Sequence, residues 1–266
     1  MIIVKFISQI DFLNIGIFKK YYPLLVLFFF VFLSSQKEDP NSLSGDIKTE
    51  FTNVGDTTNA FFELKQLNLG KIDYILAKIA VVSNNNGIVT SRSSIVVDTA
   101  ITHKIDTILG TSNLPTEAKK AIREKLIRVF NAKVDSSDKN NIKIDFEIKS
   151  KVTSEGMQDF HHSEGDLSKP FTLVKYNAKV GDKYEFTDKE GNKYVRQVTK
   201  RSDDDDYPMG FWLLKVIVVE ESIVEGPYKD FFGKMIFYTN HKFGLVGVEW
   251  EKNGKRYNIS ILPPNL

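Results

Sequence analysis

Between residues 142 and 149, apolar and polar side chains alternate without a break. Ile142, Ile144, Phe146 and Ile148 fall on one side, and Lys143, Asp145, Glu147 and Lys149 on the other. A period of two belongs to an extended strand with one buried and one wet face, as in an antiparallel sheet. The same β-branched and aromatic texture recurs along the chain. Residues 72–82 and 88–97 flank Asn84-Asn85-Asn86-Gly87 and read as a hairpin. Residues 184–187 and 194–199 flank Asp188-Lys189-Glu190-Gly191-Asn192 as a second hairpin. Phe211 to Val219 is almost continuously apolar and predicts a central strand. Met235 to Tyr238, Leu245 to Lys252 and Arg256 to Leu262 complete a meander. Its last turn, Asn253-Gly254, is the strongest hairpin signal, because both turn positions need positive φ.

Helical periodicity is concentrated at 115–131. Pro115 suits a first helical position, with Ser112 or Asn113 as the cap. Ala118, Ala121, Ile122, Leu126, Val129 and Phe130 then recur at spacings of three and four. Thr99 to Leu109 reads as a shorter helix closed by Gly110. Two helices and a short connector admit a helix-turn-helix reading, but charge weighs against it. Lys and Arg total 36 against 34 Asp and Glu, a net charge of +2 with no dominant basic patch. The expected fold class is α+β: a predominantly antiparallel, curved sheet with one or two helices packed on it, and no nucleic-acid partner.

Composition narrows the chemistry. The absence of cysteine removes disulfides, thiolate metal sites, iron–sulfur clusters and thiol nucleophiles together. The 20 Phe and 10 Tyr need no ligand to account for them, since half-buried strands favour aromatics.

The N-terminal region follows a different logic. Lys19-Lys20 and Tyr21-Tyr22-Pro23 precede the apolar run Leu24–Leu33, followed by Ser34-Ser35 and then Gln36-Lys37-Glu38-Asp39-Pro40. Positive flank, short apolar stretch, small residues and polarity form the order of a secretory signal. As a helix, residues 21–35 would span about 22 Å against a hydrocarbon core of about 30 Å. Extending it backwards meets Lys20 and Lys19, each costing roughly 2.5–3.5 kcal/mol at mid-bilayer. Residues 1–35 are therefore expected to be a targeting segment, 36–60 a flexible tether, and 61–266 a single β-rich domain. Phe32-Leu33-Ser34-Ser35 before Gln-Lys-Glu-Asp resembles the signal region of Bacteroidetes lipoproteins, which read Leu-Ser-Ser-Cys before a charged stretch. Gln36 stands where the lipid-bearing Cys belongs. The resemblance implies an exported envelope protein (periplasm, outer membrane or cell surface). The residues from Val180 to Tyr184 and from Asn240 to Val248 are loosely similar to exported Bacteroidetes proteins, which implies no activity.

No local motif names a catalyst. His161-His162-Ser163-Glu164-Gly165-Asp166 is the densest set of metal-ligand types, but adjacent histidines point apart on a strand, and His103 and His241 are isolated. Asp203–Asp206 lacks the spaced pattern of a calcium loop and reads as a solvated turn. Gly244-Leu-Val-Gly247 marks a bulge or close packing rather than a phosphate loop. Trp212 and Trp250 lie in apolar strands and read as core. Neither cofactor nor metal is implied, and no catalytic residue can be assigned. The expectation is a non-catalytic envelope protein with an apolar or glycan ligand, its site lying between the C-terminal sheet and the helix at 115–131. Membrane contact is expected only through an uncleaved N-terminal segment. The alternatives are a metal-independent secreted hydrolase using scattered carboxylates and a purely structural surface protein.

Overall fold

The computed structural model describes residues 41–63, 74–99, 101, 116–229 and 232–262. Their strands, in chain order, are β1 (Thr57–Glu63), β2 (Tyr74–Asn85), β3 (Ile88–Asp98), β4 (Lys133–Asp135), β5 (Asn141–Thr153), β6 (Gly156–Asp159), β7 (Phe171–Lys175) and β8 (Lys183–Thr187). They continue with β9 (Lys193–Arg201), β10 (Tyr207–Met209), β11 (Trp212–Leu214), β12 (Ile217–Glu225), β13 (Lys234–Asn240), β14 (Gly244–Lys252) and β15 (Lys255–Ile261). A helix, α1 (Thr116–Val129), precedes β4, and Thr99 and Ile101 are also helical.

Tight turns set the local register. Asn86 and Gly87 (φ 53° and 80°) join β2 to β3, and Asn253 and Gly254 (φ 52° and 72°) join β14 to β15. Both are the paired left-handed conformations that a two-residue hairpin demands. Long-range pairing then builds one antiparallel sheet in the order β7-β6-β5-β3-β2-β1-β15-β14-β13-β12-β9-β8, with β4 also on β5. Ala60 opposite Ile261 fastens the first strand to the last. The sheet curls until β7 lies against β8 and β9, so it is a nearly closed barrel.

This corrects the α+β expectation: among the described residues the architecture is nearly all antiparallel sheet, and α1 is not packed on it. The helix forms at 116–129, but none of its described side chains is buried, and Leu126 is 52% exposed. Its sequence explains why. Lys119, Lys120, Arg123, Glu124, Lys125 and Arg128 leave too narrow an apolar stripe to roof a sheet, and a sheet that closes on itself needs no roof. The cap at 112–113, Pro115 and most of the helix expected at 99–109 lie outside the described residues.

Alternation along β12 distributes the core over two faces. Ile217, Val219 and Ile223 point to the inner cluster with Val198, Phe171 and Val174. Val218 points outward, where Met209, Val216, Ile236 and Val246 form a second cluster. The hairpin β10–β11 covers that outer cluster with Tyr207 and Leu214. The run Phe211–Val219 is thus not one strand. Its first part is half of a flap that turns at Gly210 (φ 60°), and only its second part is a central strand.

Residues 41–56 run along one end of the sheet. Lys151 Nζ donates to Leu43 O at 2.7 Å, Ser154 N to Asp46 O at 2.7 Å, and Asn84 Nδ2 to Thr52 O at 3.1 Å. Leu43 and Thr52 are buried.

Candidate functional site

Two places concentrate polar chemistry: the seam where the barrel nearly closes, and a cleft at one of its ends. At the seam, no backbone ladder joins β7 to β8 among the described residues. Side chains bridge the gap instead. Asn41 accepts from Thr172 N on β7 (3.1 Å) and donates to Glu185 O on β8 (3.1 Å). Lys175 N donates to Tyr184 Oη at 3.2 Å, and Arg196 Nη1 donates to Phe171 O at 3.2 Å.

Arg196 is the centre of the seam. Period two along β9 puts Tyr194, Arg196 and Val198 on one inward face, so the guanidinium is driven into the interior and is 1% exposed. It is met there by Asp159 of β6 at 2.6 Å and by Glu221 of β12, its register partner, also at 2.6 Å. The guanidinium also lies 4.0 Å from the centroid of the Phe171 ring, a cation–π contact. His162 stacks on Tyr194 with ring centroids 3.8 Å apart, and its Nε2 lies 3.1 Å from Glu221 Oε2.

These charges hold one another ionised. Burial is the largest influence and pushes the Asp159 and Glu221 carboxyls up, but Arg196 and the neighbouring histidines together outweigh it and keep both below the usual carboxylate range. Burial lowers Arg196 in turn, and the two carboxylates more than restore it. Desolvation holds His161 below its ordinary value against the pull of Asp159. With Arg196 paired to both carboxylates and His162 to Glu221, this cluster fastens the seam.

The cleft has about 580 Å³. The β5–β6 turn contributes Ser154 and Glu155, the end of β7 Tyr176 and Asn177, and the end of β9 Arg201. Lys215 comes from the break before β12 and His241 from the β13–β14 turn. Local geometry fixes most of them. Arg201 Nη1 donates to Tyr176 O (2.7 Å) and Ala178 O (3.2 Å), so the guanidinium is anchored at the cleft wall. Asn240 accepts from Lys242 N and Phe243 N at 2.8 and 3.1 Å, an Asx turn that presents His241 outward. Glu155 Oε2 accepts from Ser44 N and Oγ at 3.2 and 2.8 Å, which ties residues 41–46 to the rim. Three side chains that are or can become cationic thus face a single carboxylate.

The residues singled out in the sequence are scattered. His162 joins the seam, while the ring of His161 packs 5.2 Å from that of Phe130. Asp203–Asp206 are exposed; Asp206 pairs with Lys200 at 2.6 Å. Among the described residues no group of three metal-ligating side chains converges, and His103 lies outside them. Gly247 meets the close-packing expectation, since a Cβ there would collide with the Tyr207 hydroxyl, and the β13–β14 register shifts beside it. Trp250 is half-buried and donates to Phe232 O, but Trp212, expected in the core, is 60% exposed. Asp159, Arg196 and Glu221 went unmarked. Their signal was a charge interrupting the inward set of an alternating strand, as Glu221 does between Val219 and Ile223.

No family model matches the chain, and no curated protein matches it. Among solved structures it is similar to a candidate exported protein with a YmcC-like fold from Bacteroides fragilis. That match has a TM-score of 0.38 and 6% identity, and covers 80% of this chain and 95% of the other. A candidate lipoprotein from Parabacteroides distasonis matches with a TM-score of 0.37 and 10% identity, over 83% and 98% of the two chains.

Proposed function

We propose that this chain is an exported, non-catalytic protein of the cell envelope that binds an acidic glycan in the end cleft. The cleft carries the reading. Its volume falls within the range of about 300–1,000 Å³ usual for ligand sites. It also sets Arg201, Lys215 and His241 against Glu155 alone. Carboxylate, sulfate or phosphate groups on a sugar chain would meet Arg201 and Lys215, while Asn177 and His241 supply hydrogen bonds to hydroxyls. Glycoside hydrolysis needs two carboxyl groups astride the scissile bond, whereas Glu155, the one carboxylate in the lining, is engaged by Ser44. Export is supported by the order Lys19-Lys20, Leu24–Leu33, Ser34-Ser35.

Calorimetric titration with a uronic-acid polymer and with its neutral counterpart tests the proposal. Binding is expected to the acidic polymer, weakened roughly tenfold by Lys215→Ala, the loss of one charge-assisted hydrogen bond. Equal affinity for both polymers would overturn the charge argument. Cleavage of the polymer, abolished by Glu155→Gln in a folded protein, would move the chain to the hydrolases.

A further inference from the structure

The flap ends in an exposed apolar tip that none of the described residues covers. Met209, Gly210, Phe211 and Trp212 form its turn, with Gly210 at φ 60° in the first central position, as a type II′ hairpin requires. Pairing of Met209 with Trp212 and of Pro208 with Leu213 sorts the side chains. Met209 faces the outer cluster and is buried, Trp212 opposite it lies on the same face but stays exposed, and Pro208 and Leu213 face away. Phe211 is fully exposed at the apex, while Trp212 and Leu213 are 60% and 57% exposed. The hairpin therefore spends one face on anchoring itself and offers the other, with its tip, to the surroundings.

We infer that this tip is a docking finger that inserts into the interfacial region of a lipid bilayer. Area argues against a second copy of the chain. The exposed parts of Phe211, Trp212 and Leu213 come to on the order of 450 Å², short of the roughly 800 Å² per partner of a stable interface. A bilayer needs no matching surface, and Trp with large apolar residues is the composition that settles at its headgroup level. The charges at the hairpin base refine the partner. Lys200, Arg201 and Lys215 stand beside Asp203–Asp206, and Lys200 is already paired with Asp206. The two signs nearly cancel, so insertion is apolar in origin and indifferent to anionic lipid. The flap is well placed for it: Ser202 and Lys215, its two roots, line the same cleft rim on which Ser44 meets Glu155. Residues 44–46 and the roots of the finger share one end of the barrel.

The test reads Trp212 itself, so that binding through the apolar run Leu24–Leu33 cannot imitate it. The full chain is mixed with phosphatidylcholine vesicles carrying brominated acyl chains, with Trp212→Phe isolating the signal of Trp250. Trp212 emission is expected to shift to the blue and to be quenched, Trp250 to be unaffected, and phosphatidylglycerol vesicles to give the same result. Phe211→Ser should weaken quenching roughly tenfold in lipid concentration, the loss of one large apolar anchor. Co-sedimentation with vesicles while Trp212 stays unquenched would overturn the inference, and so would a Phe211-dependent dimer in the absence of lipid. Quenching only on anionic vesicles would overturn its apolar origin. Since the wild-type chain gives the decisive signal, a variant that fails to fold does not rescue the inference.

Discussion

At the scale of single residues, Arg196 shows what a buried charge does to a barrel. Two ion pairs on an Arg196 that is 1% exposed, to carboxylates 8% and 9% exposed, do not by themselves imply net stability, because desolvating three charges costs about as much as their attraction returns. Breaking the set is another matter. Arg196→Met keeps the volume but leaves Asp159 and Glu221 buried without their cation. Unfolding in urea is expected to show a loss of about 3–5 kcal/mol. Arg196→Met with Glu221→Gln should recover part of it, since one of the stranded charges goes too. A single-variant loss below about 1 kcal/mol would mean that water already solvates the cluster. These residues were legible in principle. In β9 Tyr194 and Val198 flank Arg196 at a spacing of two, in β12 Val219 and Ile223 flank Glu221 in the same way, and a charge inside such a set needs an opposite charge on its neighbour. The sequence does not state which neighbour, and the partnership appears only when Arg196 falls opposite Glu221 in the register.

Among the elements, hairpins were legible because their chemistry is local. The strands at 74–98, 183–201 and 234–261 lie where turn residues and alternation put them. What failed was composition read without turns. In Phe211–Val219 apolar character does not mean burial: the turn at Gly210 and the break at Lys215 leave 211–214 in the flap and 217–219 in the core. The helix failed likewise: its period was read correctly, but its charge density, which keeps it off the sheet, was not. The short strands β6 and β7 carry too few residues to show a period, yet both are almost wholly buried. Their close approach rests on Gly156, where an added Cβ would strike the Val174 carbonyl oxygen and crowd the Lys175 Cα at 3.0 Å. Because the obstacle is backbone, it cannot rotate away. Gly156→Ala should cost on the order of 2–4 kcal/mol and speed hydrogen exchange across β6 and β7 before other strands. Normal exchange there would show that the pairing can shift to accommodate a methyl group.

For the whole molecule, closure was not legible, since it depends on pairings between distant strands such as β1 with β15 and β9 with β12. The outcome is a barrel with one weak line, the seam between β7 and β8, held by Asn41, Tyr184 and the Arg196 cluster. Acid should open it there first. Asp159 and Glu221 have folded pKa values held below those of the unfolded chain, about 3.9 and 4.3. Their contribution is therefore complete above about pH 5 and is lost as pH falls through the folded values. His161 acts in the same direction at milder pH. The folded chain disfavours its protonation, so below about pH 6.5 the unfolded chain takes up that proton first and stability begins to fall. Melting temperature is expected to be level from pH 8 to 7, to decline gently below about 6.5, and to fall steeply below about 4. Hydrogen exchange near pH 4 should rise first at Thr172, Lys175 and the β8 amides, while the β1–β15 junction stays protected. Arg196→Met, which frees both carboxyls to rise, should move the steep fall to higher pH. A melting temperature level down to pH 4 would remove His161 from this account, and exchange that begins at β1 and β15 would place the weak line elsewhere in the barrel.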